Sequence, residues 1–350
     1  MREMAFGNTG LRLSAVGLGG IQFSKISGEQ VKALIDRARA RGINWIETAY
    51  GYFDSEEKIG AAMNGAWDGL HIISKNGNRD AEGFRARLEE SRKRLRCDHF
   101  DLFQFHGVDN QADWERLHAL GGALAEARAL QRDGVIRHLG VTTHSLELAE
   151  KMVARPSATE VEADWLESIQ IPISFINREF ENSPLLPRAQ ARGLGMLAMK
   201  PFGGGRLGSA RLCLGYIYGL PGVFPVVGVE ALWQIDDLAD TADAPPVLTA
   251  EDEAEMERIR QDLGRYFCRA CRYCEPCPRE ISIYAVLYFP VYIKQMGADR
   301  IIGSGEPGYL AKARECTECR QCEIRCPFGL KISDGLKASL ALYDELVAGG

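Results

Sequence analysis

The 350-residue sequence predicts an α/β protein, a closed parallel (β/α)8 TIM barrel followed by a small helical, cysteine-rich module. Three observations carry this. Short apolar runs of β type alternate eight times with longer amphipathic runs between the start and about residue 240. The pattern breaks at Asp243-Ala244-Pro245-Pro246. Eight of the ten cysteines then crowd into residues 268–326. These marks place the barrel at 1–250 and the module at 251–350, each long enough to bury a core.

In chain order, the first strand is read at Ala15–Gly19, an apolar run closed by glycine, and the pattern Glu29–Arg41 after it repeats its apolar residues every three or four positions. Strands at Asn44–Ala49 and His71–Lys75 follow, then a helix at Glu82–Arg96. Asp101–His106, a single long helix at Trp114–Asp133, His138–Thr143 and Leu146–Ala154 continue the alternation. Ser168–Ile173, Gly195–Lys200 and Phe224–Gly228 complete eight strands. The stretch Leu212 to Val229 carries no charge, but Pro221, Gly222 and Pro225 interrupt it, so a helix, a turn and a buried strand fit better than a membrane span. Repeat count and length favour a barrel over an open doubly wound sheet. No G-x-G-x-x-G follows a strand. Gly203-Gly204-Gly205 comes after the seventh strand, where barrels commonly bind phosphate. In the module, helices are expected at Ala250–Leu263, Ile281–Met296 and Gly335–Ala348.

Apolar residues make up 46% and charged residues 26%, the composition of an ordinary globular protein. A net charge of −6 gives no electrostatic reason to expect nucleic acid or an anionic membrane as partner. Met1-Arg2-Glu3-Met4 is charged and lacks the apolar stretch of a signal peptide, so a cytoplasmic location is expected.

The cysteines form two clusters, Cys268, Cys271, Cys274 and Cys277 before Pro278, and Cys316, Cys319, Cys322 and Cys326 before Pro327. Two triplets at two-residue gaps, each followed by Cys-Pro, form the signature of a ferredoxin-like iron–sulfur module with two [4Fe-4S] clusters. Disulfides would need an exported protein. A pair of structural zinc sites is the alternative, but zinc uses two Cys pairs per ion and not a triplet plus Cys-Pro. By the crossover rule, Cys268, Cys271, Cys274 and Cys326 hold one cluster, and Cys277, Cys316, Cys319 and Cys322 hold the other. Cys97 and Cys213 stand apart and read as inert packing residues.

Chemistry in a barrel sits at the C-terminal ends of the strands. Four candidates fall there: Glu47, Tyr52, Lys75 and His106. A phenol with an ordinary pKa near 10 is a weak acid at neutral pH. A neighbouring ammonium stabilises the phenolate it leaves, and a carboxylate holds that ammonium. A histidine beside them can orient a carbonyl oxygen. Taken singly, Lys75 and His106 could be structural, yet four such residues at successive strand ends point to a proton relay.

Glu47-Thr-Ala-Tyr-Gly-Tyr52, Ser74-Lys75 and Asp101-Leu-Phe-Gln-Phe-His106-Gly107 resemble the catalytic tetrad of the aldo-keto reductases. The resemblance extends through Gly140-Val-Thr-Thr-His144, Gln170-Ile-Pro172 and Met199-Lys-Pro-Phe-Gly-Gly-Gly205, about the first 240 residues. With the tail, the chain is similar to aldo-keto reductases of bacteria and archaea that carry a 4Fe-4S dicluster domain. The resemblance implies Tyr52 as general acid, Lys75 as its activator, Glu47 as partner of Lys75 and His106 as carbonyl-positioning residue. It implies that Thr142, Thr143 and Gln170 hold the nicotinamide carboxamide and that Met199 stacks on the ring. Gly203, Gly204, Gly205 and the segment Gly228–Asp237 match pyrophosphate and adenosine contacts. Three departures stand out. Glu47 replaces an aspartate, its extra methylene shifting the carboxylate by about 1.3 Å in a site that tolerates about 0.5 Å. Met199 replaces a common aromatic. Gln234 falls where NADP-specific members place arginine, and Gly228–Asp237 contains no Lys or Arg, which favours NAD(H) slightly over NADP(H).

The function expected is an iron–sulfur-containing oxidoreductase acting on a small carbonyl or alcohol substrate with a nicotinamide cofactor, its clusters structural or relaying electrons to a redox partner protein. A hydride carries two electrons while a cubane takes one, and no flavin motif mediates between them. Two alternatives therefore stand: a cluster-driven enzyme without nicotinamide, and a ferredoxin-like electron carrier on a barrel scaffold. The pocket loops carry no signal for a particular substrate.

Overall fold

A computed structural model of the chain describes residues 1–154, 165–264, 267–270, 272–303 and 305–349. They divide into two compact units, Met1–Leu248 and Thr249–Gly350.

The first unit opens with an antiparallel hairpin, β1 (Glu3–Ala5) and β2 (Arg12–Ser14), which the sequence pattern did not announce. Strands of three residues are too short to show a period of two. Eight parallel strands follow: β3 (Gly17–Gly19), β4 (Trp45–Glu47), β5 (His71–Asn76), β6 (Phe100–Phe105), β7 (Ile136–Thr142), β8 (Ser168–Pro172), β9 (Gly195–Met199) and β10 (Val223–Gly228). They close into a barrel in the order β10-β3-β4-β5-β6-β7-β8-β9. The predicted barrel is thus present, with every predicted strand inside it.

The hairpin plugs one end of the barrel. Phe6, Leu11 and Leu13 pack with Trp45, Ile73, Leu102, Leu197 and Phe224, and the Phe6 and Phe224 rings meet edge to face at 5.3 Å. Two glycines make room for these rings. A Cβ on Gly17 would lie 2.1 Å from the Trp45 indole, and one on Gly195 would lie 2.3 Å from the Phe6 ring. The end opposite the hairpin, where the strands finish, is left for chemistry.

Helix starts follow the caps in the sequence. Ser27 and Gln30 form a capping box for Gly28–Ala40, and Asp80, Asn110, Ser145 and Ser209 each accept a backbone N–H at the helix that follows. The predicted helix Trp114–Asp133 is two helices, Gln111–His118 and Ala123–Arg132. Gly121 takes a left-handed φ of 77° between them and Gly122 caps the second, so the glycine pair breaks a pattern whose apolar period runs through it. Leu212 to Val229 resolves into helix Ala210–Tyr218, a turn and β10. Among the described residues no helix is long and apolar enough to cross a membrane.

The second unit is helical. Its longer helices are Ala250–Gly264, Ile283–Met296 and Ile332–Gly349, with short ones at Ala298–Ile302, Gly308–Ala313 and Gln321–Arg325. Its core joins Ile283, Val286, Phe289, Leu310 and Leu336 to Cys268 and Cys274, so the cysteine loops pack directly against the helices.

Candidate functional site

The C-terminal mouth of the barrel gathers the four residues expected there. Glu47 ends β4, Lys75 stands one residue before the end of β5, and His106 follows β6. Tyr52 sits in the tight turn after β4, where its N–H donates to Ala49 O at 3.0 Å and its carbonyl accepts from Ser55 N at 3.0 Å. The Ser55 hydroxyl donates to Gly20 O at 2.8 Å, tying this turn to the end of β3.

Lys75 and Glu47 are both buried and joined by a short charge-assisted hydrogen bond. The Lys75 ammonium also donates to Thr48 O at 2.8 Å and stands 4.7 Å from the centre of the Tyr52 ring. The longer Glu47 therefore keeps the pairing, and the same Oε1 accepts a second bond from Gln170 Nε2 at 3.0 Å. Burial pulls the Lys75 pKa below its ordinary value, against the pull of Glu47 in the other direction.

The His106 ring meets Tyr52 edge to face at 5.8 Å. Burial, followed by the Lys75 charge, holds its pKa well below the ordinary histidine value, so the ring is neutral at neutral pH. Its backbone is fixed on both sides. His106 N–H donates to Asn76 O at 2.8 Å, and the buried Arg79 guanidinium donates to the carbonyls of His106 and Gly107 at 2.8 and 2.9 Å.

Thr142 and Gln170 stand opposite each other in the β7–β8 ladder, and Met199 pairs with Pro172 at the end of β9. The Thr142 hydroxyl accepts from Gly107 N–H at 2.8 Å, and the Thr143 hydroxyl donates to Asp109 at 3.3 Å. Among the described residues, Gln170 Oε1 and both amide atoms of Gln104 are buried without a partner. Buried polar atoms are normally satisfied, so an orphan here marks a place for a ligand or water. Gly203, Gly204 and Gly205 follow at φ of 57°, 69° and 86°, a conformation that side chains rarely adopt.

At the end of β10, the Gln234 side chain accepts the N–H groups of Glu230 and Ala231 at 2.7 and 3.1 Å. Two acidic residues of this segment, Glu230 and Asp236, have cationic partners drawn from elsewhere in the chain. Lys25 pairs with Glu230, while Arg37 and Arg41 pair with Asp236.

In the second unit, Cys277, Cys316, Cys319 and Cys322 line one open-sided cavity. Among the described residues no three Cys, His, Asp or Glu side chains are grouped closely enough to hold a single metal ion. Cys268 and Cys274 are buried, and Cys326 is partly buried in the same core. Arg325, beside Cys326, donates to the carbonyls of Cys274 and Pro276 at 2.7 Å each, which draws the second motif onto the first. Cys271 lies outside the described residues. The two triplets share one backbone device. Ala270 and Arg272, like Glu318 and Arg320, take φ between 56° and 62° on either side of the middle cysteine. The Cys268 thiol accepts Ala270 N–H at 3.4 Å and the Cys277 thiol accepts Arg279 N–H at 3.4 Å. Metal-bound cysteine sulfurs commonly accept backbone N–H bonds of this kind. Cys97 and Cys213 are buried elsewhere, and burial raises the Cys97 pKa to about 12.

Sequence reasoning missed Lys25, Arg79 and a chain in which Lys200 Nζ lies 3.0 Å from His144 Nε2, with His144 Nδ1 3.4 Å from Asp109. Each joins residues far apart in sequence, and no local pattern reports such contacts.

Residues 15–212, more than half of the chain, match the profile of the aldo/keto reductase family, and residues 267–331 match a 4Fe-4S dicluster domain. L-galactose dehydrogenase of Arabidopsis thaliana is 26% identical over 226 residues, covering 58% of this chain and 66% of that protein. The uncharacterized oxidoreductase YqkF of Bacillus subtilis is 29% identical over 227 residues, covering 57% and 68%. The chain thus spans about two thirds of these relatives' length. The fold is shared with aldo-keto reductase AKR11C1 from Bacillus halodurans, at a TM-score of 0.60 over 74% of this chain and 96% of that one, with 20% identity. By the profile over its barrel, this chain belongs to the aldo/keto reductase family of oxidoreductases, and it carries a 4Fe-4S dicluster domain C-terminal to the barrel in sequence.

Proposed function

We propose that this chain interconverts a small carbonyl compound and its alcohol with a nicotinamide cofactor, NAD(H) slightly favoured, and that its C-terminal domain holds two [4Fe-4S] clusters. The observation that carries the reading is the buried Lys75–Glu47 pair set 4.7 Å from the Tyr52 ring. A scaffold for an electron carrier has no use for a buried charge pair against a phenol, whose desolvation is costly.

Thr142, Thr143, Gln170 and Met199 would hold the nicotinamide end, and Gly203, Gly204 and Gly205 the pyrophosphate. When bound, a nicotinamide would supply the hydride, and the clusters would either pass single electrons to a redox partner or brace the fold. Tyr52 gives its proton to the carbonyl oxygen during reduction, and the Lys75 ammonium stabilises the phenolate left behind. Glu47 keeps Lys75 in place. Neutral His106 donates a ring N–H to the same carbonyl oxygen and orients it. Cys268, Cys271, Cys274 and Cys326 would bind one cluster, and Cys277, Cys316, Cys319 and Cys322 the other.

Anaerobic titration with NADH and NADPH, following nicotinamide fluorescence and cluster absorbance together, tests this reading. Binding followed by turnover of a small carbonyl supports it. Binding of neither nucleotide would overturn it in favour of cluster-driven chemistry in the barrel.

A further inference from the structure

The acidic segment after β10 looked uncompensated in the sequence, and the fold supplies part of its counter-charge from the loop after the first barrel strand. Lys25 closes the short helical turn Gly20–Lys25 after β3 and pairs with Glu230 at the end of β10. Strands β3 and β10 are neighbours in the barrel, which is why their following loops meet. Loops after the seventh and eighth strands of a barrel are a common phosphate site. Two features beside the Lys25–Glu230 pair fit a nucleotide, and a third disfavours an extra phosphate. Gln22 crosses Gly228, where a Cβ would lie 1.9 Å from its Oε1, and that oxygen is buried without a partner among the described residues. Trp233 presents an indole that is 65% exposed one turn away. The Gln234 side chain occupies the N–H groups of residues 230 and 231, so these backbone donors do not face an incoming anion.

We propose that the Lys25–Glu230 pair is the element that decides between NAD(H) and NADP(H), with Trp233 as the platform for the adenine; this rests on the nicotinamide reading above. Glu230 accepts a ribose hydroxyl and repels a 2′-phosphate. Lys25 attracts the same phosphate, but only by leaving Glu230. Paired, the two nearly cancel, so the wild-type chain discriminates weakly and on the side of NADH. Arg37 and Arg41 take no part, because both are engaged with Asp236 on the outer helices.

Binding to the full-length, anaerobically purified protein tests this with four probes: NADH, NADPH, ADP and adenosine 2′,5′-bisphosphate. Glu230→Gln should raise the affinity for the bisphosphate relative to ADP about tenfold, and Lys25→Met should lower it about tenfold. Trp233→Ala should weaken all four by a similar factor and abolish most of the tryptophan quenching that ADP produces. The dinucleotides should follow the same ratios. If NADH binds and both charge variants leave every ratio unchanged, the specificity assignment is wrong while the nicotinamide reading survives. If none of the four binds the wild-type protein, the nicotinamide reading fails and takes this one with it.

Discussion

The amide of Gln170 donates to Glu47 Oε1 at 3.0 Å, reaching across the barrel from β8 to β4 onto the oxygen that also binds Lys75. The glutamate that departs from the family's aspartate is long enough to serve both partners. Glu47→Asp should keep Lys75 anchored, through the shorter carboxylate and Thr48 O, but release Gln170. Turnover should fall less than about tenfold, since neither the proton donor nor its ammonium is removed. Steady-state kinetics on a small carbonyl checks this. A loss as large as that of Tyr52→Phe would mean that the longer side chain sets the catalytic geometry itself.

Tyr52→Phe removes a proton donor and keeps the ring that packs against Lys75 and His106. Turnover should drop by about 10²-fold or more, while the dissociation constant for NADH stays within about twofold. Pre-equilibrium binding and kcat, measured on the same preparation, separate the two effects. Unchanged turnover would exclude Tyr52 from the reaction.

The pH dependence follows from His106. Its folded pKa is depressed by burial, so below about pH 6.5 the unfolded chain binds a proton that the folded barrel does not. This group therefore lowers stability as pH falls through the ordinary histidine value, and the neutral ring persists in the folded protein. The profile of kcat/KM should show no acid limb from His106 between about pH 7.5 and 6. A limb near 6.5 that disappears in His106→Gln would show that the ring titrates normally.

The strands were legible because they are short apolar runs, three of them closing at or beside a chemically distinctive residue: Glu47 at the end of β4, Lys75 near the end of β5 and His106 just after β6. The break at Gly121-Gly122 was visible in the letters, but the amphipathic pattern continued through it and prevailed in the reading. The Lys25–Glu230 pair was beyond reach for a different reason. Its two residues meet only because the last strand of the barrel lies beside the first, and a search confined to Gly228–Asp237 could find no cation. Gln170 was placed at the carboxamide-holding position, yet its bond to Glu47 depends on a width of the barrel that no spacing encodes. The cysteine motifs were the reverse case, since there the spacing itself is the signal.

Metal content tests the second unit as a whole. Protein purified without air should be brown and hold about eight iron and eight sulfide per chain, as two cubanes require. Stoichiometric zinc without sulfide would overturn the cluster assignment.

The sharing of ligands between the motifs is tested by Cys277→Ser. Cys277 belongs by sequence to the first motif, but its side chain lines the cavity with Cys316, Cys319 and Cys322 of the second. Arg325 meanwhile fastens the end of the second motif, next to Cys326, to the carbonyls of Cys274 and Pro276. Both contacts run in the sense of a crossover, in which each Cys-Pro cysteine serves the other triplet. A serine at 277 should therefore disturb the cluster held by Cys316, Cys319 and Cys322, leaving the other cluster's spectrum intact. Cys326→Ser should do the opposite. Electron paramagnetic resonance of the dithionite-reduced protein resolves the outcome, because loss of one centre removes the spin coupling between the two and leaves the spectrum of the survivor. Comparison with Cys319→Ser identifies which centre was lost. If Cys277→Ser and Cys319→Ser remove different centres, each motif binds its own cluster and the crossover is wrong. If they remove the same one, the polypeptide between the motifs is closed into two interlocking loops by the metal. Losing either cluster would then loosen both motifs, and the second unit should unfold at lower temperature in each variant.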